Sequence, residues 1–246
     1  MSRTFVIADL HGRYDLFEQA YRRACEASAS LQDRFIVLGD FVDRGPESAQ
    51  IIAKMRHLQT VRHPGDLELI VLCGNHESIM LSAMVYPRQH ISWWVGNGGG
   101  ATLKSYSIGG YGVEGEWWDW LNTAKRDYEW LTQLPDVLED EHRIYVHAGI
   151  PWDKTVEETP SGTRQWMLYG YTASDVEWNE LAGRHISGKH IVHGHHQSAD
   201  HPLLLPGRTD LDSWAYHTGR LAIGVFEDDV PGGPVEILWA TGPASH

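Results

Sequence analysis

The chain has 246 residues, 42% of them hydrophobic and 22% charged, which excludes a disordered or fibrous protein and allows a core of ordinary size. Its 20 basic against 33 acidic residues give a formal charge of −13, the wrong balance for non-specific nucleic-acid binding, though bound divalent cations could still draw an anionic substrate. Cys25 and Cys73 offer neither a metal spacing nor a disulfide framework, no apolar run approaches the ~20 residues of a membrane span, and no signal-like stretch follows Met1, so a cytoplasmic protein is expected.

Thr4–Ala8 reads as a first strand, ending in Asp9-Leu-His-Gly12. Tyr14–Ala29 then carries Leu16, Phe17, Ala20, Tyr21 and Ala24 at helical spacing. Phe35–Leu38 is a second strand that leads into Gly39-Asp-Phe-Val-Asp-Arg-Gly45. A chain leaving a strand through Gly-Asp and turning at Arg-Gly-Pro sets its charges at the strand's carboxyl end, where open α/β sheets bind ligands. A helix is expected from about Pro46 to Leu58, then a third strand, Glu68–Leu72, ending in Cys73-Gly-Asn-His-Glu77 at another helix start. Three successive strand, polar turn and helix units predict right-handed crossovers and a parallel sheet.

Residues 85–135 read as a tryptophan-rich, largely helical insertion, with six of the eleven tryptophans between Trp93 and Trp130 and with Trp117, Leu121 and Ala124 on one face. Arg143–Val146 is a fourth strand, ending in His147-Ala-Gly149, and a polar loop is expected over roughly 155–165. His190–His193 is a fifth strand, ending in Gly194-His195-His196. Leu221–Phe226 and Val235–Trp239 flank a turn and predict a hairpin closing a second sheet. Without repeats or linkers, residues 1–246 are expected to form one domain.

The strand ends collect Asp9, His11, Asp40, Asn75, His147 and His195. Any one of these histidines alone reads as an ordinary loop or core residue. Six oxygen and imidazole donors at five successive strand ends suit two ions of the Mn, Fe, Zn or Ni type better than a closed structural zinc site.

Asp9-Leu-His-Gly12, Gly39–Gly45, Gly74-Asn-His-Glu77, His147-Ala-Gly149 and Gly194-His195, in this order, resemble the calcineurin-like metallophosphoesterases, specifically the phosphoprotein phosphatase branch. Glu77, and Trp94 ahead of Asn97-Gly-Gly99, look most like the lambda-type bacterial and phage protein phosphatases. The resemblance implies an α/β fold of two packed, mixed β-sheets flanked by helices. It implies one metal on Asp9, His11 and Asp40 and another on Asp40, Asn75, His147 and His195, manganese being the first expectation. Two such cations, about 3.5–4 Å apart, acidify a shared water and clamp the phosphoryl oxygens. His76 corresponds to the family's proton donor, Asp43 would orient it and Arg44 would hold phosphate with its planar fork; Asn75 would also touch substrate.

Several positions depart from the pattern. Ala8 replaces a glycine, His196 a threonine, and His217-Thr-Gly219 resembles an Asp-Thr-Gly turn with its acid replaced. The second phosphate-binding arginine that relatives carry is missing from Gln165–Tyr171, which leaves Arg164 or Arg184 as substitutes. The leading expectation is a phosphomonoesterase acting on serine/threonine phosphate in proteins or on small phosphoesters. A symmetrical dinucleoside-tetraphosphate hydrolase is the alternative, with the tryptophans offering stacking surfaces for bases. A catalytically inactive metal-binding scaffold is disfavoured because His76, Asp43 and Arg44 are all present.

Overall fold

The computed structural model describes residues 2–61, 63–106, 120, 124–169 and 185–244. Strands β1 (Arg3–Ile7), β2 (Arg34–Val37) and β3 (Glu68–Val71) run parallel, and β9 (Arg220–Glu227) with β10 (Glu236–Thr241) adds an antiparallel hairpin, giving the order β10-β9-β1-β2-β3. In the second sheet β5 (Arg143–Val146), β6 (His190–His193) and β8 (Arg208–Asp210) are parallel, with β4 (Val137–Glu139) and β7 (Leu203–Leu205) as antiparallel edges, in the order β4-β5-β6-β8-β7.

The alternation of side chains along each strand builds the layers. Val6, Ala8, Ile36 and Leu38, with Phe226 on the same face of their sheet, meet Tyr145 and Val192 of the second sheet. Their sequence neighbours Phe5, Ile7, Phe35 and Val37 face outward, against α1 (Tyr14–Ala27), α2 (Ser48–Thr60) and α3 (Asn75–Val85). The five apolar positions expected on the first helix are its buried residues. Among the described residues no helix is long and apolar enough to cross a membrane.

Two expectations need correction. The terminal hairpin closes the first sheet, not a second one: Phe5 pairs with Val225, which covers an edge of β1 that would otherwise expose its backbone groups. The expected polar loop at 155–165 turns helical at its end, as α7 (Ser161–Trp166). Of the insertion, α4 (Pro87–Trp94), α5 (Gly100–Ser105) and α6 (Lys125–Leu131) are helical, and Ala124 is buried in the core, whereas Trp117 and Leu121 lie outside the described residues. The last helix, α8 (Ala215–Thr218), is a single turn.

Candidate active site

The carboxyl ends of β1, β2, β3, β5 and β6 open onto one region, and the turns there share an uncommon backbone. Asp9, His11, Asp40, Asp43, Arg44 and His195 all have φ between 43° and 71°, the left-handed region that non-glycine residues rarely enter. Each such residue costs about 1 kcal/mol or more, so strain is concentrated where polar side chains must converge. Glu77 holds the turn after β2 in place: its carboxylate accepts from the backbone N–H groups of Asp40 (2.8 Å), Gly74 (2.9 Å), Phe41 (3.0 Å) and Val42 (3.1 Å). At Gly74 a Cβ would run into the Asp40 carboxylate and amide, so only glycine lets β3 pass this close. Replacing Glu77 with Gln turns an amide NH2 toward buried N–H donors. Glu77→Gln is therefore expected to lower stability by about 2–4 kcal/mol, read by urea denaturation of metal-free protein; a loss under ~1 kcal/mol would remove this role.

Two groups of donors meet at Asp40. Ligand atoms of His11, Asp40 and His76 lie within 4.8 Å of one another, and so do those of Asp40, His147 and His195. The Asn75 carboxamide oxygen joins the second group, 2.8 Å from His147 Nε2, 3.3 Å from His195 Nδ1 and 3.1–3.2 Å from both Asp40 oxygens. His147 Nδ1–H donates to the Leu38 carbonyl (3.1 Å) and His11 Nδ1–H to that of Val42 (2.9 Å), which turns each Nε2 toward the other donors as an acceptor, as in metal-binding imidazoles. An inverted Asn75 amide would bring two protons to four acceptor atoms; a cation among them answers all four. The residues thus fit a divalent ion by donor type and by convergence.

Asp9 lines the same cavity outside both groups, and its Oδ2 accepts from the His195 N–H (3.0 Å). Burial works against the Asp40 carboxylate, yet His147, His76 and His11 outweigh it and hold its pKa well below the ordinary range. Burial, then His147, pull His195 down to about 3, so its ring is a neutral acceptor.

His76 stands in the first group by position, but its Nδ1–H donates to Asp43 Oδ2 (2.8 Å). Asp43 is fully buried and its remaining capacity is filled by Trp94 Nε1 (2.9 and 3.0 Å) and Thr102 Oγ1 (2.7 Å). That fixes one imidazole tautomer and one ring orientation, with Nε2 toward the cavity. Burial pulls His76 down, but Asp40 and Asp43 together carry its pKa above the ordinary value. Arg44 donates to His11 Nε2 (2.9 Å) and to Gln197 Oε1 (3.3 Å), its Nη2 lies 3.2 Å from His76 Nε2, which can accept from it only as the neutral imidazole, and its Cζ is 5.0 Å from the Tyr216 ring centroid. Gly98, at φ 106°, accepts the Arg44 N–H (3.1 Å), and a Cβ there would meet the Arg44 side chain at 2.8 Å, so the kink between α4 and α5 packs directly on this turn.

Asp9, His11, Asp40, Arg44, Asn75, His76 and His195 line a cavity of about 500 Å³, with His147 and Asp43 fully buried behind it. Arg164 is not among them: its Nη2 forms a fork with both Asp136 oxygens (3.0 and 2.9 Å), and Nη1 donates to the Val156 and Thr159 carbonyls. Arg184 lies outside the described residues. In the segment expected to carry a second arginine, the cavity wall is Trp166, Leu168 and Tyr169.

Asp212 was missed in the sequence. It follows β8, is buried against the cavity, and burial with Asp210 pushes its pKa up to about 7. The signal was an Asp-Leu-Asp run, but β8 is too short to announce a strand end. His217, in the turn that resembles Asp-Thr-Gly with its acid replaced, packs on Trp214 with ring centroids 4.1 Å apart and does not line the cavity, whereas Asp212 does.

A family model described as calcineurin-like phosphoesterase matches residues 2–224. A symmetrical bis(5'-nucleosyl)-tetraphosphatase of Chromohalobacter salexigens is 30% identical over 176 residues, 70% of this chain and 54% of that protein, so the match spans about half of the relative's length. The crystal structure of a candidate diadenosine tetraphosphatase superposes with TM-score 0.65 at 20% identity, covering 98% of this chain and 93% of that one. A protein serine/threonine phosphatase from Saccharomyces cerevisiae gives 0.58 at 17% identity, covering 100% of this chain and 81% of that one. At such identities the two structures speak for the fold alone.

Proposed function

The chain belongs to the calcineurin-like phosphoesterase family, and from that premise we propose that it is a hydrolase of dinucleoside polyphosphates that works with two divalent cations. The observation that carries the reaction type is Asp40, whose two oxygens face the two donor groups while His76 and Arg44 reach the same cavity. Asp9, His11 and Asp40 would hold one ion, and Asp40, Asn75, His147 and His195 the other. When bound, such ions supply Lewis acidity toward phosphoryl oxygens and lower the pKa of the attacking water. Arg44 would leave both His11 Nε2 and His76 Nε2 and turn its fork onto the phosphoryl oxygens, with Tyr216 under the guanidinium and His76 Nε2 free to carry a proton. His76 would give its Nε2 proton to the leaving oxygen, held in line by Asp43.

The substrate reading is supported by the relative of 30% identity and by the aromatic cavity wall. Glu77 resembles the protein phosphatases, but both its oxygens are taken by backbone N–H groups and it does not line the cavity. One observation favours the phosphomonoester reading. A buried proton donor such as His76 on Asp43 matters most for an alkoxide leaving group, such as that of serine phosphate, and less for a nucleotide phosphate. The test is a parallel assay with added manganese of diadenosine tetraphosphate, a serine phosphopeptide and p-nitrophenyl phosphate. The dinucleotide is expected to show the highest kcat/KM, by tenfold or more; a phosphopeptide preference of that size would reverse the assignment.

Arg44 gives a second prediction. Charge-assisted bonds to phosphoryl oxygens of about 1.5–3 kcal/mol imply that Arg44→Ala lowers kcat/KM by ~10- to 150-fold. Arg44→Lys keeps the charge without the fork and should fall between. Arg164→Ala should change kcat/KM by less than threefold while lowering stability, since its fork serves Asp136. Near-normal kcat/KM for Arg44→Ala in protein that still holds its metals would place the phosphate grip elsewhere.

A further inference from the structure

A line of aromatic rings leads out of the cavity. The Trp166 ring meets that of His195 edge-on, with centroids 6.2 Å apart. Trp93 lies nearly parallel to Trp166, 5.9 Å away at 16°. His90 follows at 6.3 Å from Trp93, and Tyr86 at 6.3 Å from His90. The order has a plain sequence origin: Tyr86, His90 and Trp93 are spaced by four and three residues, so they share one face of α4 and its cap. Trp166 ends α7, whose Gln165 accepts from Ser78 on α3 (2.8 Å), and this bond sets its indole beside Trp93.

These rings are not core residues. Trp93 is 47% and Trp166 42% exposed, whereas Trp94, the next residue on α4, is fully buried with its N–H on Asp43. Two stacked indoles left open to water at the edge of a cavity offer a flat, uncharged, polarisable face. A planar ring of similar size matches such a face, whereas an aliphatic side chain of a peptide calls for a concavity. The chain is also acidic overall, at −13, so any holding of a phosphate-rich molecule beyond the cavity is better done by an uncharged contact.

We propose that Trp93 and Trp166 are the specificity-determining platform on which a nucleobase of the substrate stacks, an inference that rests on the dinucleotide reading above. Stacking is tolerant of base identity, because every base has a π face. The enzyme should therefore accept adenine and guanine dinucleotides alike, and discriminate against anhydrides without bases.

The deciding quantity is kcat/KM on diadenosine tetraphosphate divided by that on inorganic tripolyphosphate, which carries phosphoanhydrides and no base. Trp93→Ala and Trp166→Ala are each expected to lower this ratio about tenfold, chiefly through KM for the dinucleotide, and Trp166→Phe to recover most of it. A second readout needs no turnover: with magnesium present, the H2 and H8 resonances of AMP should shift upfield on the wild-type protein and less on either alanine variant. Unchanged ratios in both alanine variants, with native circular dichroism, would overturn the platform. So would a tenfold loss on a phosphopeptide with none on the dinucleotide. If the wild type leaves the dinucleotide intact yet still shifts AMP through Trp93 and Trp166, the platform stands and the substrate reading falls.

Discussion

Asp40→Asn is expected to lower kcat/KM by about 10³-fold or more and to strip both divalent ions from the protein, because several kcal/mol of transition-state stabilisation come from ions this carboxylate would share. Oδ2 lies 3.8 Å from His11 Nε2, and Oδ1 lies 3.4 Å from His147 Nε2 and 3.2 Å from the Asn75 oxygen. Losing the charge weakens both sets at once, and the new amide places a donor where lone pairs must face inward. Asn75→Ala removes one neutral oxygen from one set, so it should weaken one ion and leave the other. Metal content after dialysis, measured by mass spectrometry beside kcat/KM, separates the two variants. Retention of two ions by Asp40→Asn, or activity within tenfold of the wild type, would end the shared-ligand assignment. Chelation of the wild type should abolish turnover, and added manganese should restore it.

Asp40 was legible in the sequence because the donors sit in contiguous turns directly after apolar runs. Phe35–Leu38 followed by Gly39-Asp40 places a carboxylate at a strand end by local pattern alone, and the same pattern located Asn75, His147 and His195. Contacts across long sequence distances were not legible. Trp94 and Thr102 reach Asp43 from 51 and 59 residues away, and nothing near Asp43 announces them. Arg164 looked available as a phosphate ligand because Asp136, 28 residues earlier, carries no sign that the two will pair. The hairpin β9–β10 was visible, but the sheet it joins depends on which strand edge stays open, a property of the assembled fold. Glu77 was informative by resemblance, whereas its position shows a clamp on the β2 turn. The order of the chain therefore conveyed the donors, and the packing supplied what holds and orients them.

His76→Ala is expected to spare metal binding and to lower kcat by about 10²–10⁴-fold on an alkyl phosphate, the range for a lost general acid. Sparing of the metals is expected if Nε2, although 3.9 Å from Asp40 Oδ2, is kept for the leaving oxygen while Asp43 engages Nδ1, and loss of an ion from His76→Ala would make His76 a ligand instead. The leaving group decides how large the deficit becomes. An alkoxide needs its proton in the transition state, whereas a p-nitrophenolate leaves without one, so the deficit should shrink by at least tenfold on the aryl ester. Diadenosine tetraphosphate, with a phosphate leaving group, should behave more like the aryl than the alkyl substrate. Asp43→Asn tests the same point from behind, because an amide cannot hold the His76 tautomer and orientation that the carboxylate does. If Asp43 acts through His76, Asp43→Asn should cost much less in the His76→Ala background than alone. Thr102 and Trp94 still need an acceptor at that position, which is why Asn rather than Ala is the informative change. Equal deficits on alkyl and aryl esters, or full additivity of the two substitutions, would remove His76 as the proton donor and leave it a structural neighbour of Asp40.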